Sequence, residues 1–192
     1  MRKLTYFIAQ TADGFIAGPD GSFDFFPVAP DVLEYTAAEY PETIPTHLRR
    51  QLGIDTANRH FDTLLQGRGS YQIGLDVGIT SPYGHVRQYV FSRTLEPDLD
   101  EAVQIVATDP AATARSLKQE DGELGICLIG GSRIAGALLP EIDELLVKRY
   151  PVVAGAGLPM FIGTFAPVAF EPVSVRRFDS GADFTHYRRV PT

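Results

Sequence analysis

This 192-residue chain reads as α/β: a mostly parallel sheet flanked by helices and closed by a C-terminal antiparallel hairpin. Three observations carry that reading. Apolar runs of strand length alternate with segments of helical spacing, the pattern of a parallel sheet with crossover helices. Three of those runs break off into glycine, serine and arginine: "LLQGRGSY" (64–71), "YVFSRTL" (89–95) and "LIGGSRIA" (128–135). Near the C-terminus, "FEPVSVRRF" (170–178) and "DFTHYRRV" (183–190) flank the turn "DSGA" as a hairpin does.

In chain order, residues 3–9 are apolar enough for a buried first strand, and 12–22 is a loop with Asp-Gly turns at both ends. "DVLEYTAAEY" from Asp31 to Tyr40 has helical spacing, with Asp31 as cap and Pro41 as stop. A short helix fits Thr46–Leu52, and the polar stretch 41–60 is long enough for a lid or binding loop. "DTLLQG" (62–67) is a strand, "RGSYQIGL" opens as a weak helix, and 78–85 is a proline and glycine loop. Strands follow at 86–92 and 103–108, then a helix after Asp109-Pro110, where proline suits the first helical position. Residues 124–130 form a central-looking strand, "SRIAGALLP" the next helix, and 142–155 a late strand that bends at Gly155 and Gly157. No repeat or linker divides the chain, so residues 1–192 are expected to form one domain.

A chain of this length buries a sizeable core without a disulfide or metal. The one cysteine, Cys127, lies in an apolar run and is expected to be inert packing in a reducing cytoplasm. The apolar start is too short for a signal peptide and nothing approaches a membrane span. The net charge of −7 argues against a nucleic-acid surface. The four histidines, 47, 60, 85 and 186, lack metal-ligand spacing, so no metal is expected; His60 and Asp62 could pair, but a plain surface role is the one expected of them.

The three Gly/Ser/Arg junctions matter because ligands of parallel α/β sheets sit beyond the carboxyl ends of the strands. Each junction offers a guanidinium, Arg68, Arg93 or Arg133, suited to bidentate pairing with phosphate. Ser70, Ser92 and Ser132 add hydroxyl donors, and Gly69–Ser70 and Gly131–Ser132 offer backbone N–H groups at helix starts. In an acidic chain, three such junctions point to a ligand with several phosphates. No Walker-type loop is present, and "GRGSYQIG" lacks the third glycine of a dinucleotide fingerprint.

Together, "TADGFIAGPDGS", "FDTLLQGRGSY", "YVFSRTL", "LIGGSRIAGALL" and "DELLVKRYPVVAGAGLPMF" resemble, in order, the dihydrofolate-reductase-like superfamily. The likeness is strongest to its branch with the riboflavin-biosynthesis reductase domain, over roughly residues 3–190. The resemblance implies one α/β domain with a mixed central sheet, bound NADPH, and hydride transfer to a small flat heterocycle. It assigns Gly67, Arg68 and Ser70 to a phosphate turn, and Ser92 and Arg93 to the adenosine 2′-phosphate. It assigns Gly130, Gly131, Ser132 and Arg133 to the pyrophosphate, and the backbone around Ala9 and Ile16 to the nicotinamide wall. It also implies a homodimer; the hairpin residues Val173, Val175, Phe184, His186 and Tyr187 supply bulk for the interface, while Arg176, Arg177, Arg188 and Arg189 could keep the edge solvated instead.

The catalytic acid carries no motif. Asp24, Glu34 and Glu39 are the candidates, with Asp31 also on the first helix, where a charge is usually part of a solvated face. Phe25 and Phe26 could line a substrate pocket or plug a loop. Asp13 is expected to shape its turn with Gly14. Glu141, Asp143 and Glu144, which lead into the late strand, look structural. The alternative to a reductase is a non-catalytic NADPH-binding protein on the same fold.

Overall fold

The first strand, β1 (Leu4–Thr11), is apolar on both faces, and it lies inside the sheet. The computed structural model describes residues 1–97 and 99–191. Leu4, Tyr6 and Ile8 point to one face, where they join helices α4 (Pro110–Gln119) and α5 (Ser132–Leu138) through Ala114, Leu117, Ile134, Ala135 and Leu138. Phe7 points to the other face, among Phe61, Cys127, Leu146 and Phe184, under Tyr35 of α1 (Pro30–Glu39). Period-two alternation of apolar residues thus gives one strand two cores.

Five further strands run parallel to β1: β3 (Phe61–Gly67), β4 (Arg87–Phe91), β5 (Val103–Val106), β6 (Gly125–Leu128) and β7 (Glu144–Tyr150). The hairpin β9 (Phe170–Arg177) and β10 (Asp183–Arg189) completes the sheet in the order β5-β4-β3-β6-β1-β7-β10-β9, with β10 antiparallel to β7. The architecture is therefore α/β with a mixed central sheet and a C-terminal antiparallel hairpin. The helices α2 (Thr46–Leu52) and α3 (Arg68–Leu75) stand where the spacing places them. No helix is long and apolar enough to cross a membrane among the described residues.

Three expectations need correction. The segment 12–22 is not all loop: β2 (Phe15–Ala17) pairs with β8 (Leu158–Pro159), a two-residue strand about 140 positions away that no local pattern announces. Asp31 does not cap α1, because Pro30 takes the first helical position and Ala29 the cap. Its carboxylate instead accepts from Val32 N and from Ser180 N of the hairpin turn, at 2.8 and 2.9 Å.

The stretch 41–60 is no lid. Its Glu42, 1% exposed, accepts from the backbone N–H of Arg59, His60 and Phe61 at 3.3, 2.7 and 2.9 Å, at the amino end of β3. Thr46 Oγ1 meets His85 Nδ1 at 2.8 Å just before β4, and Asn58 donates to His85 O at 3.0 Å. These ties hold the segment to the end of the sheet away from the Gly/Ser/Arg junctions. Nor do His60 and Asp62 pair with each other, in line with the expectation. His60 faces Glu39 at 3.1 Å, while Asp62 pairs with the buried Arg2.

Candidate functional site: a groove at the carboxyl ends of the strands

Four parallel strands that neighbour one another, β5, β4, β3 and β6, end at a groove of about 890 Å³. Gly67 and Arg68 come from the end of β3, Phe91 to Thr94 from β4, Val106 to Pro110 from β5, and Gly131 to Ile134 from the turn after β6. The three junctions, far apart in sequence, meet because parallel register brings their strand ends into one row.

The backbone there is arranged for close approach. Gly67 N donates to Gly130 O at 2.8 Å, tying two of the turns together. Gly130 has φ +118°, where any side chain is strained, and a Cβ on it would crowd Ser70 Oγ. The Gly130–Gly131 peptide is cis. Helices α3 and α5 start from Gly67 and Gly131 with no side-chain cap, whereas α4 is capped by Asp109, which accepts from Ala111 N at 2.9 Å. The first N–H groups of α3 and α5 therefore have no partner within the helix and none from a cap.

The charges point the same way. Arg68, Arg93 and Arg133 are exposed, and none pairs with a carboxylate among the described residues. Arg68 donates to Thr94 Oγ1 at 2.5 Å, which holds it beside the β4 turn. Asp109 carries a negative charge on the groove wall, but Arg115 stands 3.9 Å from it.

Two of the three serines have other duties. Ser92 Oγ accepts from Thr94 N and Leu95 N, at 3.2 and 3.1 Å, and so shapes its own turn. Ser132 is buried and donates to Pro159 O, while Ile162 N donates to Ser132 O at 3.0 Å. These bonds fasten the 158–162 segment along α5, where Leu158 and Ile162 complete the groove wall. Contact is so close at Gly136 that a Cβ would overlap the Ile162 carbonyl. Ser70 remains beneath Gly130 and Gly131, just behind the lining.

Ala9 and Ile16 lie outside the groove lining, Ala9 near the end of β1 and Ile16 on β2, both half-buried. Phe25 and Phe26 stack at 4.7 Å, and Phe26 packs on Tyr150 at 5.2 Å, so the pair anchors its loop to the end of β7. Asp13 behaves as a turn former and more: it accepts from Thr11 Oγ1, Ala154 N and Gly155 N, at 2.6, 3.1 and 2.7 Å, joining two loops. Those hydrogen bonds hold its carboxyl below the usual range, Thr11 contributing most.

The candidate acids are not assembled into a site. Asp24 and Glu34 are exposed to solvent. Glu39 pairs with Arg59 and His60 at 3.1 Å each, at the amino end of the sheet. Sequence reading passed over Lys148 on β7, which sits level with Ala9 in the strand register. Its Nζ lies 4.5 Å from the centre of the Phe7 ring, and burial pushes its pKa down to about 8. A lysine in a run of apolar and basic residues gives no local sign of this environment.

No family model matches the chain. It is 28% identical over 162 residues to the uncharacterised protein YwjB of Bacillus subtilis (strain 168), covering 83% of each. To YyaP of the same organism, also uncharacterised, it is 25% identical over 193 residues, covering 94% of this chain and 91% of that one. Among solved structures it is similar to a protein of Shewanella sp. PV-4 provisionally assigned to riboflavin biosynthesis, with TM-score 0.70, 21% identity and full coverage of both chains. It is also similar to a diaminohydroxyphosphoribosylaminopyrimidine deaminase/5-amino-6-(5-phosphoribosylamino)uracil reductase of Thermotoga maritima, with TM-score 0.64 and 17% identity. That match covers 98% of this chain, which spans 57% of the length of the Thermotoga protein.

Proposed function

We propose that this chain, whose fold is that of proteins of riboflavin biosynthesis, is an NADPH-dependent reductase acting on a small flat heterocycle. One observation carries the reading: two uncapped helix starts and three arginines with no carboxylate partner among the described residues converge on one groove in a chain of net charge −7. Unpaired donors and cations gathered this way suit a ligand with several phosphates. A groove of about 890 Å³ has room for a dinucleotide.

In this reading the pyrophosphate lies over Gly130 and Gly131, against the N–H groups that open α5. Arg68 and Arg93 take the 2′-phosphate, with Ser92 ordering the turn by accepting from Thr94 N and Leu95 N. Arg133 adds positive field at the groove wall. Ala9 and Ile16 flank the nicotinamide, which supplies the hydride when bound. The protein's work is then orientation and exclusion of water. Candidate substrates are a ribosylaminopyrimidine, a dihydropterin or a conjugated carbonyl compound.

Calorimetric titration with NADPH and NADH, backed by thermal shift, tests this directly. NADPH is expected to bind more tightly. Arg93→Ala should weaken NADPH about 10- to 100-fold, the worth of one charge-assisted hydrogen bond, and NADH less than about threefold. Equal or absent shifts with both dinucleotides at millimolar concentration would reject the reading.

A further inference from the structure

Reduction of a C=N, C=O or conjugated C=C bond takes up a proton as well as a hydride; of the three candidate carboxylates, Asp24 and Glu34 are exposed to solvent and Glu39 is paired with Arg59 and His60. We infer that Lys148 is the proton donor of the reductase, acting on a planar substrate laid beside Ala9. The inference rests on the reductase reading above.

The geometry comes from strand register. Ala9 pairs with Lys148, and Lys148 pairs with Phe184 on its other side. Ile8 and Val147, which alternate with Ala9 and Lys148, pack in the core under α4 and α5. Ala9 and Lys148 therefore share the opposite face, with Phe7, Leu146 and Cys127. If the nicotinamide lies along Ala9, an amine stands beside the reacting ring. Lys148 is half-buried and makes no ion pair or hydrogen bond with the described residues. The Phe7 ring beneath it partly offsets the lost hydration of the ammonium. Gln66, on the same face by its alternation with Leu65, keeps a buried amide nitrogen without a partner among the described residues.

Charge around that face leaves Lys148 as the group suited to lose a proton near neutrality. The Cys127 thiol is pushed well above its usual value by burial, and the phenols of Tyr40 and Tyr83 are raised by burial too. Arg176 from β9 holds its guanidinium 4.6 Å over the Tyr35 ring of α1. The Glu42 carboxylate is engaged by three backbone N–H groups. A donor with a pKa of about 8 is matched to work near neutral pH. The step balances simply. Hydride from NADPH bonds to the substrate carbon, the π pair moves to nitrogen, oxygen or the distal carbon, and that atom takes a proton from Lys148 Nζ. The neutral amine regains a proton from water, so NADPH and one proton are consumed and NADP⁺ and the reduced compound are released.

Lys3, Lys118 and Lys148 are the only lysines in the chain, so acetic anhydride labelling read by peptide mass spectrometry resolves each one. Lys148 should label with a midpoint near pH 8, and saturating NADPH should slow its labelling at least fivefold while leaving Lys3 unchanged. Lys148→Met should keep the NADPH affinity and lose at least 100-fold in kcat with 5-amino-6-(5-phosphoribosylamino)uracil, dihydrofolate or a conjugated aldehyde, whichever the wild type reduces. The wild-type kcat should fall as pH rises through about 8. Lys148→Arg, charged but unable to give up its proton, should not rescue turnover. A Lys148 midpoint matching that of Lys3, a Met variant within threefold of wild type, or rescue by arginine overturns the inference. A wild type that binds NADPH while Lys148 labels at an unchanged rate overturns it alone. A wild type that binds no NADPH overturns the reductase reading together with it.

Discussion

Replacing Glu42 by alanine removes the acceptor for three backbone N–H groups at the start of β3 and leaves them in a site where Glu42 itself is 1% exposed. Hydrogen bonds to a charged acceptor contribute about 1.5–3 kcal/mol each. Because these three share one charge and the contact to Arg59 N is long at 3.3 Å, the sum sits at the lower end, about 3–5 kcal/mol. For a chain of this size each kcal/mol lowers Tm by about 2–4 °C, so the variant should melt about 6–20 °C below wild type. Glu42→Gln separates shape from charge. Its amide oxygen can keep the bonds to His60 and Phe61, both made by one oxygen of the carboxylate, while its NH2 faces the Arg59 N–H. That variant should lose about 1–2 kcal/mol. Urea unfolding at pH 7 reads both numbers, with m unchanged if only the native state is affected. The affinity for NADPH should not move, since Gly67 and Arg68 lie at the far end of the same strand. A loss below about 1 kcal/mol for alanine, or a glutamine variant as damaged as alanine, would refute the account of Glu42 as a staple. A change in cofactor or substrate affinity without loss of stability would restore the idea of a lid.

Two further outcomes follow from other parts of the sheet. Glu144, held down to about 2 chiefly by the His186 ring 3.3 Å away and then by Lys3, should lend stability that is complete above pH 4.5 and lost as pH falls from 4.5 toward 2. Glu144→Gln should flatten the acid limb of the stability curve by about 1–2 kcal/mol, allowing for its partial exposure, and a limb as steep as wild type would remove Glu144 as its cause. We also propose a two-fold dimer through β9, an edge strand with exposed Val173 and Val175. Light scattering at micromolar concentration should give a dimer mass that Val175→Glu converts to monomer; a wild-type monomer rejects the dimer, and a dimer indifferent to this change places its interface elsewhere.

The dimer argument shows what strand patterns conceal. From sequence, Phe184, His186 and Tyr187 look like interface bulk, yet Phe184 is buried in the core and His186 and Tyr187 are half-buried against it. Only the position of β10 inside the sheet, with β9 outside it, separates these residues from Val173 and Val175. Elements whose signal is local were legible: β1, α2, the Asp109-Pro110 start of α4, and the hairpin. The junctions at 67–70, 92–93 and 130–133 were legible as chemistry because glycine and arginine at strand ends have few other reasons to recur. The duty of the Ser132 hydroxyl was not legible, since its partner Pro159, and Ile162, which bonds its carbonyl, come from a segment almost 30 residues on. Lys148 was missed for a similar reason. Its neighbours Phe7 and Ala9 belong to a strand 140 residues earlier, and its setting exists only once β1 and β7 are paired.

Position 136 limits how far this sequence can drift. With the Ile162 carbonyl resting where a Cβ would stand, alanine there forces the 158–163 backbone off α5 and opens the wall of the groove. Substitution at 136 and the path of that loop are therefore inherited as a unit. A descendant or a designed variant with any side chain at 136 must reroute residues 158–163, and a randomised library at this one codon, selected for the native groove, should return glycine alone.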